Sequence, residues 1–489
     1  MMRKNGTLFQ YFEWYMDLQN DLWRRLKDDA QHLKQLGITG VWIPPACKAT
    51  SPGDTGYGVY DLYDLGEFDQ KGSIKTKYGS REELIECIAH LKETGIDVYA
   101  DAVLNHKAAG DEKEPFWVVA VDPTDRNRVI SEPFEMEGWT RFTFPGRGAK
   151  YSDFQWNHTH FTGTDFNAAT GERGIFRIEG EGKGWAMGVD ADQGNFDYLM
   201  FNDLDVRHPE VVRDLYQWAH WFVETTGVSG MRFDAVKHIN DQFIRDLAKD
   251  LKEHFGDDFY TFGEYWTADA SVLEHYLTQV DYTLDLFDVA LHFHFYEASR
   301  AKEQYDLRTI FDGTLVQSHP ELAVTFVDNH DSQPGQSLES FVAPWFKPLA
   351  YALILLRADG YPTIFYGDYY GISSEEPIEG HAEVIDRLLH ARSQRAYGEQ
   401  VEYPMDATRI GFARLGDAEH PDGLAVVMSS GEGGSIEMAM GELHAHERFV
   451  DWMGHWDEPV VLDERGVGCF PCPKESLCVW SKEYQEVEA

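Results

Sequence analysis

Short apolar runs recur along the chain, bounded by Gly, Pro, Asn and Asp. Eight of them read as strands: 7–13, 40–45, 96–103, 227–234, 259–264, 282–288, 323–329 and 361–367. Between several of them the spacing changes to that of a helix. Segments 21–37, 80–95 and 209–227 carry apolar residues at helical intervals, and each closes on a glycine, Gly37, Gly95 or Gly227. Strands alternating with helices in this way predict a closed parallel (β/α)8 barrel. An open doubly wound sheet fits the same alternation, but no G-x-G-x-x-G or phosphate loop follows any strand.

One interval breaks the rhythm. The third strand region ends near 106 and the fourth begins near 228, with only the 209–227 helix to fill the gap. About a hundred residues are too many for a structureless loop in a compact domain. Segment 107–207 is therefore expected to be a subdomain inserted after strand 3, at the barrel's C-terminal face. After 395 helical spacing gives way to short alternating runs such as "IGFARL" and "GLAVVMSS", with "GEGGS" between. The expected organisation is α/β: a TIM barrel over 1–106 and 208–394, the insertion 107–207, and a C-terminal antiparallel β-sandwich over 395–489.

Composition narrows the function classes. The chain has 489 residues and a formal net charge of −41, from 43 Lys+Arg against 84 Asp+Glu. That charge disfavours nucleic acid and anionic membranes as partners, and its even spread resembles the acidic surfaces of salt-adapted proteins. The 14 Trp and 24 Tyr supply flat faces of the kind that stack on sugar rings. Five cysteines, an odd number without framework spacing, point to reduced thiols. Three of them, Cys469, Cys472 and Cys478, form a C-x-x-C-x5-C cluster to which His455 would add a fourth zinc ligand; buried thiols in a β-domain are the plainer reading. The opening "MMRKNGTLFQYFEWY" lacks a leader-like apolar core, and no run of membrane-spanning length occurs. If Met1 is the native start the protein is expected in the cytoplasm; a secreted chain whose leader had been removed would read the same.

The chemistry gathers at strand ends. "DAVLNH" gives Asp101, Asn105 and His106; "GMRFDAVKH" gives Arg232, Asp234, Lys237 and His238; "GEYW" gives Glu264; "FVDNHD" gives Asp328, His330 and Asp331. Side chains two apart on a strand share a face, so Arg232 and Asp234 point the same way, opposite to Met231 and Phe233. Several carboxylates on one barrel rim would repel one another unless they shared protons or cations. Such a cluster suits glycoside hydrolysis with paired carboxylates or metal-dependent hydrolysis. The latter wants an early H-x-H on the first strand, and "LFQYFEWY" has none.

In order and spacing, the four segments resemble the signature regions of the α-amylase family of retaining glycoside hydrolases. "GTLFQYFEWY", "GYGVYDLYDLGEF" and "TKYGSREEL" extend the resemblance to the bacterial liquefying and cytoplasmic α-amylases, over essentially the whole chain. The resemblance implies Asp234 as nucleophile, Glu264 as general acid/base and Asp331 as the residue that stabilises the transition state. Arg232 would keep Asp234 ionised by lowering its pKa, while apolar neighbours such as Phe262 and Trp266 would keep Glu264 protonated. His106, His330 and Tyr57 would contact the sugar, Lys237 and Trp266 the leaving-group side, and Trp14 the cleft.

The same resemblance implies one structural Ca²⁺, on Asn105, Asp197, Asp203 and the backbone carbonyl of His238, stapling the insertion to the barrel. A further metal cluster is not expected, because Thr162, Ala186 and Arg207 stand where aspartates would be needed and Asp205 lacks company; an Arg or a water would fill the gap. The implied activity is endo-cleavage of α-1,4-glucosidic bonds in starch, glycogen or maltodextrins, by a protein read as a monomer. A maltooligosaccharide-forming amylase or an α-glucan transglycosylase would carry the same triad. A non-catalytic glycan-binding relative would have lost a triad carboxylate, and none is lost.

Overall fold

A computed structural model describes residues 5–17 and 20–483. Met1 to Lys4, on which the reading of the chain's start rests, lie outside the described residues. Eight parallel strands close a barrel in which each pairs with its neighbours in sequence order. They are β1 (Leu8–Gln10), β2 (Gly40–Ile43), β3 (Asp97–Ala102), β4 (Gly230–Phe233), β5 (Tyr260–Gly263), β6 (Asp285–Phe287), β7 (Ala323–Phe326) and β8 (Tyr361–Phe365). Each falls inside one of the eight apolar runs.

The three helices read from spacing are also present: α1 (Leu22–Gln35), α2 (Arg81–Thr94) and α3 (Pro209–Thr226). Their ends follow from local chemistry. Ser80 and Glu83 form a reciprocal capping box that starts α2, and Gly95 stops it with a left-handed φ of 85°. Gly227, φ 73°, stops α3 in the same way, which delivers the chain directly into β4.

Between β3 and β4 the chain builds a separate antiparallel sheet from His106–Lys107, Glu112–Asp122, Asp125–Val129, Phe134–Arg141, Phe161–Phe166, Arg173–Ile178 and Asn202–Leu204. Its first and last strands pair with each other, His106 opposite Asp203. The insertion thus leaves and re-enters the barrel at one point, beside the strand ends. After the barrel, a six-stranded antiparallel sheet and a two-stranded one enclose their own core, including Ile436, Phe449, Phe470 and Trp480. No described helix is long and apolar enough to cross a membrane.

One expectation fails here. Cys472 and Cys478 are buried, but Cys469 is exposed. Alternation along the strand Val467–Cys472 turns Cys469 away from the face that buries Gly468, Phe470 and Cys472. A zinc set using all three cysteines does not assemble.

Candidate active site

Parallel register sets Arg232 on β4 beside Asp101 on β3 and Phe262 on β5. Arg232 is fully buried and is the hub of the site. Its Nη1 donates to both Asp101 oxygens, at 2.8 and 3.0 Å, and to Asp234 Oδ1 at 2.6 Å. Its Nη2 donates to Glu264 Oε2 at 2.7 Å. The indole of Trp42 lies under the guanidinium, 5.0 Å away, and donates its own N–H to Asp101.

Backbone bonds carry the parallel ladder past the strands: Asp234 N donates to Ala102 O and Glu264 N to Phe233 O. Ala235 then adopts a left-handed conformation, φ 48° and ψ 41°, unusual for a residue with a side chain. The turn brings its N–H to 3.4 Å from Glu264 Oε2. Among the described residues, Glu264 Oε1 is buried and has no hydrogen-bond partner.

The electrostatics correct one expectation. Burial raises the pKa of Asp234, and Arg232 opposes that without reversing it. Burial also raises Glu264, and it pushes Asp101 up to about 7. Asp331 is raised well above the ordinary range, by burial and then by the charges of Glu264 and Asp234. One guanidinium faces four carboxylates, so it cannot neutralise them all. Burial and mutual repulsion favour retention of protons by the cluster. A neutral Glu264 fits the contacts: Oε2 accepts from Arg232, and Oε1 holds the proton with nothing to receive it.

Three nearly parallel rings flank the carboxylates. Tyr57 stacks on His330 at 5.0 Å and 10°, and Trp14 lies 5.9 Å from Tyr57 at the same 10°. Tyr57 Oη donates to Asp101, which ties the platform to the charge cluster. Gln10, the last residue of β1, places its side-chain nitrogen 3.0 Å from His330 Nδ1. As that amide donates, Nε2 carries the ring hydrogen; it is buried, without a hydrogen-bond partner among the described residues, 3.4 Å from Asp331. Burial keeps His330 neutral by lowering its pKa well below the usual value.

His106 is placed differently from the expectation. Its Nε2 donates to the Tyr57 carbonyl at 2.8 Å, and Nδ1 faces Asn105. Burial lowers its pKa to about 4, so it is neutral. It fixes the backbone under the aromatic platform, and a sugar would have to share Nε2 with Tyr57. Lys237 reaches Asp192 and the Trp266 carbonyl, each at 3.4 Å, and so bridges the insertion to the end of β5. Trp266 packs on His292 and Phe293 and remains partly exposed. Asp328 is structural: it receives Lys347 at 2.7 Å and Ser332 at 2.8 Å beneath the loop.

Asn105, Asp197 and Asp203 meet where the insertion rejoins the barrel. Asn105 Nδ2 lies 3.3 Å from Asp203, and Thr162 donates to the same carboxylate. His238 adjoins them, its Nδ1 donating to the carbonyl of Phe196, the residue before Asp197. Burial pushes Asp197 up to about 7, and raises Asp203 well above its usual value with the Asp197 charge adding to the effect. Among the described residues neither carboxylate has a Lys, Arg or His ion-pair partner. Two buried carboxylates without an ion-pair partner, beside the side chain of Asn105, fit a hard cation. Asp205, two residues on, differs: Lys183 lies 2.9 Å from one oxygen and Arg207 Nε 2.8 Å from the other. Basic side chains neutralise it, with Lys183 adding to the Arg207 expected there.

Several positioning residues escaped the sequence reading. Gln10 and Trp42 sit in apolar runs that register as core. Glu13 is fully buried and accepts from Tyr15 N, Gln333 and Ser373 N, fastening the segment that carries Trp14. A carboxylate interrupting the apolar run 7–13, three residues past the end of β1, was the available signal for Glu13.

Comparison with known proteins adds a second line of observation. Residues 23–413 match the family model described as "Alpha amylase, catalytic domain". The chain is 46% identical over 478 residues to a protein named glucan 1,4-alpha-maltohexaosidase from Bacillus sp. (strain 707), covering 97% of this chain and 92% of the relative. It is 47% identical to an alpha-amylase of Bacillus licheniformis, covering 97% and 93%. It is 43% identical to the cytoplasmic alpha-amylase of Escherichia coli (strain K12), covering 98% and 99%. Among solved structures, the alpha-amylase of Geobacillus thermoleovorans, complexed with acarbose, superposes with a TM-score of 0.65 at 16% identity, over 99% of both chains. That likeness speaks to fold.

Proposed function

The chain belongs to the α-amylase family, and on that premise we propose how its strand-end cluster cleaves internal α-1,4-glucosidic bonds. Asp234 attacks the anomeric carbon while Glu264 Oε1 gives its proton to the departing glycosidic oxygen. Water then cleaves the glycosyl-enzyme with Glu264 as base, and configuration is retained. The observation that carries this assignment is the division of labour at one guanidinium. Arg232 holds Asp234 and one oxygen of Glu264, and leaves the other buried oxygen of Glu264 without a partner. Bridging by a single side chain suits the close carboxylate spacing that retention requires. Asp331 and the unpaired Nε2 of His330 are assigned to the hydroxyls of the sugar at the cleavage point, and Tyr57 to its apolar face. Lys237 and Trp266 lie together at the end of β5 and are assigned to the leaving-group side, Trp14 to the cleft wall.

The test of internal cleavage uses soluble starch, comparing loss of iodine colour with release of reducing ends. Internal cutting collapses the colour while few ends have formed. Accumulation of ends while colour persists would instead support the maltooligosaccharide-forming reading, which the 46% identity to a maltohexaosidase keeps in view. Colour loss without new ends would mean transfer.

We assign Asn105, Asp197, Asp203 and the His238 carbonyl to one Ca²⁺. When bound, the ion supplies charge neutralisation and a staple between insertion and barrel. Removing it leaves two buried carboxylates to repel each other. Chelation is therefore expected to lower the melting temperature, with recovery when Ca²⁺ is restored. Asp203→Asn should weaken that response, since one repelling charge and one ligand are gone together. A melting temperature indifferent to both chelator and calcium would reject the assignment. A cytoplasmic location rests on the similarity to the cytoplasmic relative and on five free cysteines.

A further inference from the structure

The insertion carries aromatic surface that the catalytic cluster does not use. Of the 14 tryptophans in the chain, Trp117 is the most exposed, at 55%, and Trp139 follows at 39%. Trp117 lies in the strand Glu112–Asp122, and Trp139 in the strand Phe134–Arg141 paired with it. Register sets Pro115 opposite Glu137 and Trp117 opposite Glu135. Side chains directly opposite each other, or two apart on one strand, share a face. Pro115, Trp117, Glu135, Glu137 and Trp139 therefore stand together on one exposed face, while Phe116 and Met136 turn inward. Trp139 is four residues from Glu135, so the two indoles are spaced about 13 Å along the strands.

This face is fixed, and it continues the cleft. Glu179 N donates to the Trp117 carbonyl, and on the inner side of the same strand Phe116 stacks on His158 at 5.3 Å and 6°. Asn202 donates to the carbonyls of Trp139 and Lys107, at 3.1 Å each, which ties the outer strands to the point where the insertion leaves the barrel. Trp139 lines a cavity of about 370 Å³ together with Phe201. The Phe201 ring in turn packs 5.5 Å from His106, which holds the backbone of Tyr57. An aromatic path thus runs from the catalytic platform through Phe201 and Trp139 to Trp117.

The chemistry of the face selects its occupant. A flat indole covers the apolar side of a sugar ring, and flanking carboxylates accept from the ring's hydroxyls. Glu135 and Glu137 stand between the two indoles. That spacing of charge suits a polyhydroxylated chain and not a protein partner, since the cores of protein interfaces are depleted of charge. We propose that Trp117, with Glu135 beside it, is an accessory contact for an α-glucan, engaging a stretch of polymer that runs out of the cleft past Trp139. The proposal rests on the α-glucan reading above. Its consequence is selective: a long chain gains a contact that a short one does not reach. A ring held on a paired strand loses little freedom on binding, so the contact adds to affinity.

The test compares kcat/KM on long amylose with kcat/KM on a short maltooligosaccharide such as maltopentaose. Trp117→Ala should lower the ratio of the two roughly 3–10-fold, the worth of one aromatic contact, with the loss carried by KM on amylose. Trp117→Phe keeps a flat ring and should recover most of it. Ile130→Ala removes a comparably exposed apolar side chain elsewhere on the insertion and should leave the ratio where it is. An unchanged ratio in Trp117→Ala, or an equal fall in Ile130→Ala, would overturn the proposal. The α-glucan reading would survive either result, because the unmodified enzyme still cleaves both substrates. Failure of the unmodified enzyme to cleave either one would overturn that reading and the proposal with it.

Discussion

Asp234→Asn should abolish starch cleavage, with a fall in kcat on the order of 10⁵-fold, because loss of a nucleophile removes the covalent route. Glu264→Gln should cost roughly 10²–10⁴-fold, the worth of a general acid. The two losses should differ in kind. α-Maltosyl fluoride has a leaving group that needs no proton, so Glu264→Gln should recover its first step on that substrate and Asp234→Asn should not. Azide should rescue Asp234→Ala, which removes the nucleophile's side chain, by attacking the vacated face and giving the β-glycosyl azide. The raised pKa of Glu264 also fixes the sign of the pH dependence. Activity needs Glu264 protonated and Asp234 ionised, so the alkaline limb of kcat/KM belongs to the acid and should be absent in Glu264→Gln. Equal loss for both variants on the fluoride, with no azide adduct, would mean that these roles are misassigned.

Arg232→Gln is expected to damage stability as well as catalysis. The guanidinium is fully buried and bonded to Asp101, Asp234 and Glu264. Removing one partner from a buried charge network costs about 3–5 kcal/mol. The loss should depend on pH in a definite direction. Buried carboxylates without a counter-ion bind protons more tightly folded than unfolded, so stability falls as pH rises from the unfolded carboxylate range near 4 through the raised native value. Asp101 is pushed up to about 7 even with Arg232 present. The variant should therefore be more destabilised at neutral pH than below about pH 5, as read by urea unfolding at both. Arg232→Lys restores charge but not the planar fork that bonds three carboxylates at once, and should recover stability better than kcat. A pH-independent deficit in Arg232→Gln would mean the hub acts by packing alone.

The sequence by itself determined the architecture and which charged side chains gather at the strand ends. Barrel strands declare themselves by length and apolarity, and helices by a 3.6-residue period closed by Gly95 or Gly227. These are local signals, written over a few consecutive residues. The strand-end motifs brought Asp101, Arg232, Asp234, Glu264, His330 and Asp331 to one rim, because a closed barrel leaves their side chains nowhere else to go.

Tertiary structure alone decided which charge answers which, and at what cost. Arg232 and Asp101 are 131 residues apart in sequence, and no local pattern states that one guanidinium must serve several carboxylates. A sequence reading of Arg232 beside Asp234 therefore gave the attraction its sign and left out the larger penalty of burial. The same limit explains His106, whose Nε2 is taken by a carbonyl 49 residues away. It also explains Asp205, neutralised by Lys183 from across the insertion sheet. In the cysteine cluster, spacing counted three thiols and strand alternation sent one of them outward. Periodicity is a property of neighbours along the chain. Desolvation and pairing are properties of neighbours in space, and these set protonation, metal choice and the direction of each hydrogen bond.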